Sequence, residues 1–190
     1  MTGNERFTVN GHELDISMCD FWRWAYSDMS NNINRSVLAE YIVASALGNA
    51  GVTIEATRIM WRPYDLLSQD GYRVEVKSAA YVQSWDAKHP DCITYRIAPA
   101  RLPDETGDYK LDAPSQRNSD VYIFCIYKAM TKDESPLNLD LWDFYVLPTR
   151  ILDEKKPTQK TITLPSLMSL EPLWCDYNGI GEAVKTAMNA

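Results

Sequence analysis

Histidine and paired cysteine are scarce in this chain of 190 residues, which argues against one class of site. The two histidines are His12 and His89, and the four cysteines stand apart without a C-x-x-C pair. A structural zinc site therefore has almost no ligands to draw on. Because the cysteines are scattered and Cys125 stands inside an apolar run, we interpret them as reduced thiols that mostly serve packing.

The chain also lacks an excess of basic residues and a long apolar run. Nineteen Lys and Arg stand against 26 Asp and Glu, and the net charge of −7 disfavours binding of polyanions through bulk charge. A nucleic-acid partner would have to be contacted locally. The longest apolar stretch, Val121–Tyr127, is far shorter than the roughly 20 residues that span a bilayer, and residues 1–18 show no secretory signal pattern. We expect a soluble, cytoplasmic protein without a membrane partner.

Neither a repeat nor a Pro/Gly-rich linker divides the sequence, so we expect a single domain over residues 1–190. Apolar periodicity predicts interleaved strands and helices, which is typical of an α/β fold with a central mixed β-sheet flanked by helices. The predicted helices cover residues 35–49, 150–154 and 181–188. The predicted strands cover residues 72–77, 93–98, 120–127, 141–147 and 161–164.

Two of these strands have distinctive patterns. Residues 72–77 alternate between apolar and charged side chains and follow the turn sequence Gln69-Asp70-Gly71, which predicts a β-hairpin. Pro63 argues against a regular central strand at the start of the preceding segment, so a strand edge or bend is expected near Asp65. The continuous apolar run at residues 121–126 is typical of a central strand covered on both faces.

The first predicted helix follows the Asn-rich turn at residues 31–34, where Asn can cap a helix N-terminus. Two neighbouring rows of side chains, at positions 37, 41 and 44 and at positions 38, 42 and 45, make a wide and largely apolar stripe at helical period. Glu40 interrupts that stripe, so its carboxylate is expected to point inward or toward a cleft. Upstream, Trp22, Trp24 and Tyr26 are interpreted as core aromatics.

The residues most suggestive of chemistry are Asp65, Glu75 and Lys77, with Glu40 upstream. Glu75 and Lys77 are two apart on one predicted strand, so their side chains project from the same face. The predicted hairpin turn brings Asp65 beside them. Two carboxylates and an ammonium group are therefore expected to converge.

Such a cluster suits a hard divalent cation. The carboxylates of Asp65 and Glu75, helped by the backbone carbonyl of Val76, can hold Mg²⁺ or Mn²⁺ and leave positions for water and a phosphate oxygen. Lys77 could orient that water, assist its deprotonation or stabilise charge on the transition state. Without the cation, two neighbouring carboxylates repel and one tends to take up a proton.

Asp65, nine intervening residues and then Glu75-Val76-Lys77, preceded by Glu40 on a helix, resembles the active-site motif of the PD-(D/E)XK nuclease superfamily. The resemblance covers roughly residues 34–85. It implies a restriction-endonuclease-like fold, with Asp65 and Glu75 as metal ligands, Lys77 as the catalytic lysine and Glu40 as an auxiliary acid. Tyr64 separates Pro63 from Asp65, so the adjacent Pro–Asp pair is absent; that pair varies in the superfamily.

The segment after Lys77 adds a weaker candidate. Small residues at 78–80 would let a phosphate backbone approach closely, and Gln83 could hydrogen-bond phosphate or water. We include Gln83 as a fifth candidate catalytic residue, and we interpret Trp85 as packing rather than base stacking.

The leading hypothesis is a Mg²⁺- or Mn²⁺-dependent endonuclease that hydrolyses DNA phosphodiester bonds. Small nucleases that cut both strands often act as dimers; a homodimer is therefore compatible with this hypothesis, but the sequence shows no interface signature that predicts it. One alternative is a catalytically inactive domain of the same fold that serves as a nucleic-acid or protein interaction module. Another is an unrelated α/β protein in which Arg73, Glu75 and Lys77 form a solvated face and Glu40 pairs with an arginine such as Arg62.

Overall fold

The structure, a computed structural model, describes residues 1–48, 62–82, 93–101 and 114–190. The helices are α1 Met18–Tyr26, α2 Asn32–Ala46, α3 Thr149–Lys155, α4 Leu164–Met168 and α5 Ile180–Asn189. The strands are β1 Arg6–Val9, β2 His12–Ser17, β3 Leu66–Leu67, β4 Arg73–Ala80, β5 Thr94–Arg96, β6 Val121–Tyr127, β7 Trp142–Pro148, β8 Thr161–Thr163 and β9 Leu173–Cys175.

Five strands form a central mixed sheet in the order β3-β4-β6-β7-β9. β4 and β6 run parallel, and the other neighbouring pairs are antiparallel. Smaller two-stranded sheets are formed by β1 with β2 and by β5 with β8. The predicted α/β class with a mixed sheet and several helices is confirmed.

Strand β6 lies in the middle of the core, and all of its residues are buried. One row of its side chains, which includes Ile123 and Cys125, packs with residues of α2 and α5. The other row, which includes Tyr122 and Phe124, packs with residues of β5, β8, α3 and α4. The prediction that this apolar run is a central strand covered on both faces is therefore confirmed.

The predicted hairpin is also present, between β3 and β4. Leu66 pairs with Val74, and the turn is closed by hydrogen bonds between Ser68 and Tyr72. Gly71 takes a φ of +87°, a conformation that glycine adopts at little cost. Val74 and Val76 are buried as the alternation predicts, and Ala79 and Ala80 extend the strand beyond the predicted end.

Helix α2 begins three residues earlier than predicted, at Asn32, because Asn31 is its cap. The Asn31 side chain accepts a hydrogen bond from the backbone N–H of Ile33 at 2.8 Å. Ala39, Ile42 and Val43 are buried, but Tyr41 is 63% exposed, so the apolar stripe is narrower than expected. The last residue of the predicted helix, 49, lies outside the described residues.

Apart from β4, which ends three residues later than predicted, the ends of the other predicted helices and strands lie within two residues of the observed ones. Five helices and strands in the described part of the chain were not predicted: β1, β2, α1, α4 and β9. The aromatic residues of α1 were nevertheless singled out in the sequence.

Those aromatic residues are not core residues, so this prediction is wrong. Trp22 and Tyr26 are partly exposed and Trp24 is 84% exposed, because α1 buries none of its residues. Their spacing of two suits a strand, but on a helix it places Trp24 on the side opposite Trp22 and Tyr26. No single face of α1 can therefore cover all three.

The cysteines that the structure describes carry free thiols, and Cys125 and Cys175 are buried as packing residues. Cys92 lies outside the described residues. Among the described helices, none combines the length and the apolar character that crossing a bilayer requires.

Candidate metal and nuclease site

Glu75 and Lys77 lie in the middle of β4 and project from the same face of the sheet. The Lys77 ammonium donates to Glu75 Oε1 at 2.5 Å. The two side chains are only 20% and 26% exposed. The alternative in which this pair forms a solvated face is therefore wrong for Glu75 and Lys77, although Arg73 on the same row is about half exposed.

Asp65 lies in the bend just before the edge strand β3 and is hydrogen-bonded to β4. Its backbone N–H donates to the carbonyl of Val74 at 3.1 Å, and its Oδ2 accepts from the N–H of Val76 at 2.7 Å. The carboxylate thus replaces a strand partner at this edge of the sheet. The N–H and C=O groups of one strand residue point to the same neighbour, so the Val76 carbonyl is directed to the edge that Asp65 occupies.

The electrostatics show that these groups share one environment. Burial, together with the negative charge of Glu75, raises the pKa of Asp65 from 3.8 to about 6. The Lys77 ammonium and the hydrogen bond from Val76 act in the opposite direction, and Glu40 adds a smaller upward contribution. The structure therefore places Glu40, Glu75 and Lys77 close enough to Asp65 to influence its pKa.

Glu40 reaches this environment from α2. It is 9% exposed and lies among buried residues of the helix, which confirms that its carboxylate points inward. Its charge influences the pKa of Asp65 and also that of the Cys125 thiol, which is buried in β6. Glu40 is thus placed over the face of β4 and β6 that packs against α2, whereas Glu75 and Lys77 project from the other face.

Sequence reasoning missed one residue of the site. The Ser119 hydroxyl donates to Glu75 Oε2 at 3.1 Å, and Ser119 is 3% exposed. Ser119 lies just before Asp120 and β6, 44 residues from Glu75 along the chain. No periodicity or spacing connects the two residues, and only the parallel pairing of β4 with β6 brings them together.

The donor set fits a hard divalent cation in its chemistry. The charge of Glu75 acts on Asp65, and the Val76 carbonyl is directed to the strand edge that Asp65 occupies. A positive charge placed there would offset both the burial of Asp65 and its repulsion by Glu75, the two causes of its raised pKa. Within residues 1–48, 62–82, 93–101 and 114–190, no group of three or more His, Cys, Asp or Glu side chains is arranged to hold a metal ion. The expected ligand set contains two such side chains and a carbonyl, so it stays a prediction.

Gln83, the fifth candidate catalytic residue, lies outside the described residues, and so does Trp85.

Comparison of the sequence with models of known protein families and with curated proteins gave no match.

Proposed function

We propose that this chain is a metal-dependent nuclease that hydrolyses DNA phosphodiester bonds, and that its domain has a restriction-endonuclease-like fold. The observation that carries the proposal is the convergence of Asp65, just before the edge strand β3, with Glu75 and Lys77 of β4, while Glu40 acts on the charge of Asp65. The order of helix, hairpin, Glu-x-Lys strand and following buried strand supports the fold.

Asp65, Glu75 and the carbonyl of Val76 are the groups that would hold the cation. A bound Mg²⁺ or Mn²⁺ supplies polarisation of the phosphodiester and a bound water of lowered pKa. The resemblance described above supports the same assignment of ligands.

The remaining groups act on water and phosphate. Lys77 can orient the attacking water, take part in its deprotonation or stabilise charge on the pentavalent transition state. Its ammonium is half-buried, which strengthens these interactions relative to water. Glu40 would act as an auxiliary acid on the water, and Gln83 would contact phosphate or water.

The test is cleavage of plasmid, linear and single-stranded DNA by the purified chain with Mg²⁺ or Mn²⁺. We expect Asp65→Ala and Lys77→Ala to lower the rate by at least about 100-fold, the scale on which single acid–base and electrostatic groups act. Matched controls are Asp70→Ala, in the turn of the same hairpin, and Lys128→Ala, whose half-buried ammonium pairs with Asp143 at 2.8 Å. Unchanged activity in Asp65→Ala and Lys77→Ala would refute the assignment.

One observation favours a second candidate, an inactive domain that serves as an interaction module. Both oxygens of Glu75 already have partners within the chain, Lys77 and Ser119. Calorimetric titration with Mn²⁺ distinguishes the two functions, because an interaction module need not bind a divalent ion at Asp65 and Glu75.

A further inference from the structure

The carboxylate of Glu75 is held at both oxygens by groups from different parts of the chain. Lys77, on the same strand, donates to Oε1, and Ser119, in the segment before β6, donates to Oε2. An ionised carboxylate offers about four lone-pair positions, so these two hydrogen bonds leave room for a further ligand.

The two partners of Glu75 differ in how firmly they are held. The Lys77 ammonium ends a flexible four-carbon chain and is 26% exposed. Ser119 is buried and has a short side chain with one rotatable bond to its hydroxyl oxygen. A cation that competes with Lys77 for Glu75 would therefore leave the Ser119 hydrogen bond in place.

The backbone around Ser119 is anchored on its N-terminal side by Arg117, whose side chain is fully buried. Arg117 Nε donates to the carbonyl of Ile97 at 2.9 Å, and its two terminal nitrogens donate to Asp153 Oδ1 at 2.6 Å and to the carbonyl of Lys156 at 2.8 Å. The guanidinium group thus fixes the segment against the residue that follows β5 and against the C-terminal end of α3.

On the C-terminal side the anchor is Asp120. Its carboxylate accepts from Arg73 Nε at 3.1 Å, from a terminal guanidinium nitrogen at 2.6 Å and from the Arg73 backbone N–H at 2.8 Å. The Ser119 hydroxyl is therefore placed by residues on both sides, which is the support that a precise site requires.

We propose that Ser119 is a positioning residue for the metal site: its hydroxyl orients the Glu75 carboxylate for the cation. This inference rests on the proposed function. Residues that hydrogen-bond a metal ligand commonly tune metal affinity or activity by 10- to 100-fold. A purely structural hydroxyl would instead affect folding and leave the affinity for the cation unchanged.

The experiment is calorimetric titration of the full chain with Mn²⁺, together with DNA cleavage measured over a range of Mg²⁺ concentrations. For Ser119→Ala we expect the dissociation constant for Mn²⁺ and the Mg²⁺ concentration at half-maximal rate to rise about 10-fold or more. The rate at saturating Mg²⁺ should stay within about 3-fold of wild type, because the hydroxyl acts through Glu75.

Two further variants make the readout specific. Ser119→Thr keeps the hydroxyl and should restore the affinity to within about 3-fold of wild type. Ser45→Ala removes another partly buried hydroxyl, which bonds to Ile42 and Tyr177 away from the site, and should leave the affinity unchanged. If Ser119→Ala does not fold, Ser119→Cys provides the comparison, since its thiol is only a weak donor.

The outcomes separate this inference from the proposed function. A wild type that binds Mn²⁺ and cleaves DNA, with Ser119→Ala showing the same affinity and Mg²⁺ dependence, overturns the role of Ser119 alone. A wild type that neither binds Mn²⁺ nor cleaves DNA overturns the proposed function, and the role of Ser119 falls with it.

Discussion

Two charged clusters are built on β4, one around Arg73 and one around Glu75 and Lys77. They differ in electrostatic character. At the start of the strand, the Arg73 guanidinium group donates two hydrogen bonds to the Asp120 carboxylate, and this hydrogen bonding lowers the pKa of Asp120. In the middle of the strand, burial and the charge of Glu75 raise the pKa of Asp65 to about 6. The first cluster balances its charge within the chain, whereas the second retains a repulsion that a bound cation would remove.

The largest expected difference between the clusters is in catalysis. Glu75→Gln keeps the shape of the side chain but removes a charge from the proposed cation site, so we expect a rate of DNA cleavage at least about 100-fold lower. Asp120→Asn makes the corresponding change in the other cluster and, like Ser119→Ala, should leave the rate at saturating Mg²⁺ within about 3-fold of wild type. Steady-state cleavage with Mg²⁺ measures both. Equal losses in the two variants would mean that the clusters do not differ in function.

The next difference is in stability, where the two clusters should respond with opposite signs. The raised pKa of Asp65 means that its ionisation destabilises the folded chain as the pH rises from about 4 to about 6, by at most about 3 kcal/mol. Asp65→Asn should therefore stabilise the metal-free protein by about 1–3 kcal/mol at pH 7.5. The lowered pKa of Asp120 means that its ionisation stabilises the folded chain above its unfolded-state pKa, so Asp120→Asn should destabilise it by about 1 kcal/mol.

Urea unfolding in the presence of a chelator at pH 7.5 and pH 4 measures these effects. At pH 4 the gain from Asp65→Asn should largely disappear, because Asp65 is then protonated in the folded protein. A destabilised Asp65→Asn at pH 7.5 would show that the Asp65 carboxylate is an ordinary structural group.

The smallest expected effect is a proton released when the cation binds. Since the pKa of Asp65 is about 6, roughly half of the molecules should release a proton from this group on binding Mn²⁺ at pH 6, and almost none at pH 8. Calorimetry in buffers of different ionisation enthalpy gives this number directly, and Asp120→Asn should not change it. A release that is the same at pH 6 and pH 8 would separate Asp65 from the binding event.

The sequence made the middle of the molecule predictable because the patterns there reflect burial. Residues 121–126 form a continuous apolar run and occupy a strand covered on both faces, and the alternation after Gly71 matches a strand with one buried row. Glu40 could be singled out because a carboxylate on an apolar row of a helix needs an explanation. The same strand parity placed Glu75 beside Lys77.

Other features left no such pattern. Trp22, Trp24 and Tyr26 are large aromatic residues of the kind that often lie in a core, but they lie on a helix that buries none of its residues. Hydrophobicity alone therefore predicted their burial wrongly. Ser119 is a small polar residue in a loop, and its role depends on an anchored backbone and a parallel strand pair. Contacts of this kind arise from the tertiary structure and have no local signature.

The most direct test of the central claim, that Asp65 and Glu75 form a divalent cation site, is the anomalous difference density of a crystal soaked in Mn²⁺. We predict one peak between the two carboxylates and the Val76 carbonyl, about 2.2 Å from the nearest oxygens, with the Lys77 ammonium displaced from Glu75 Oε1. No peak at saturating Mn²⁺, with the Lys77–Glu75 contact of 2.5 Å intact, would contradict the claim.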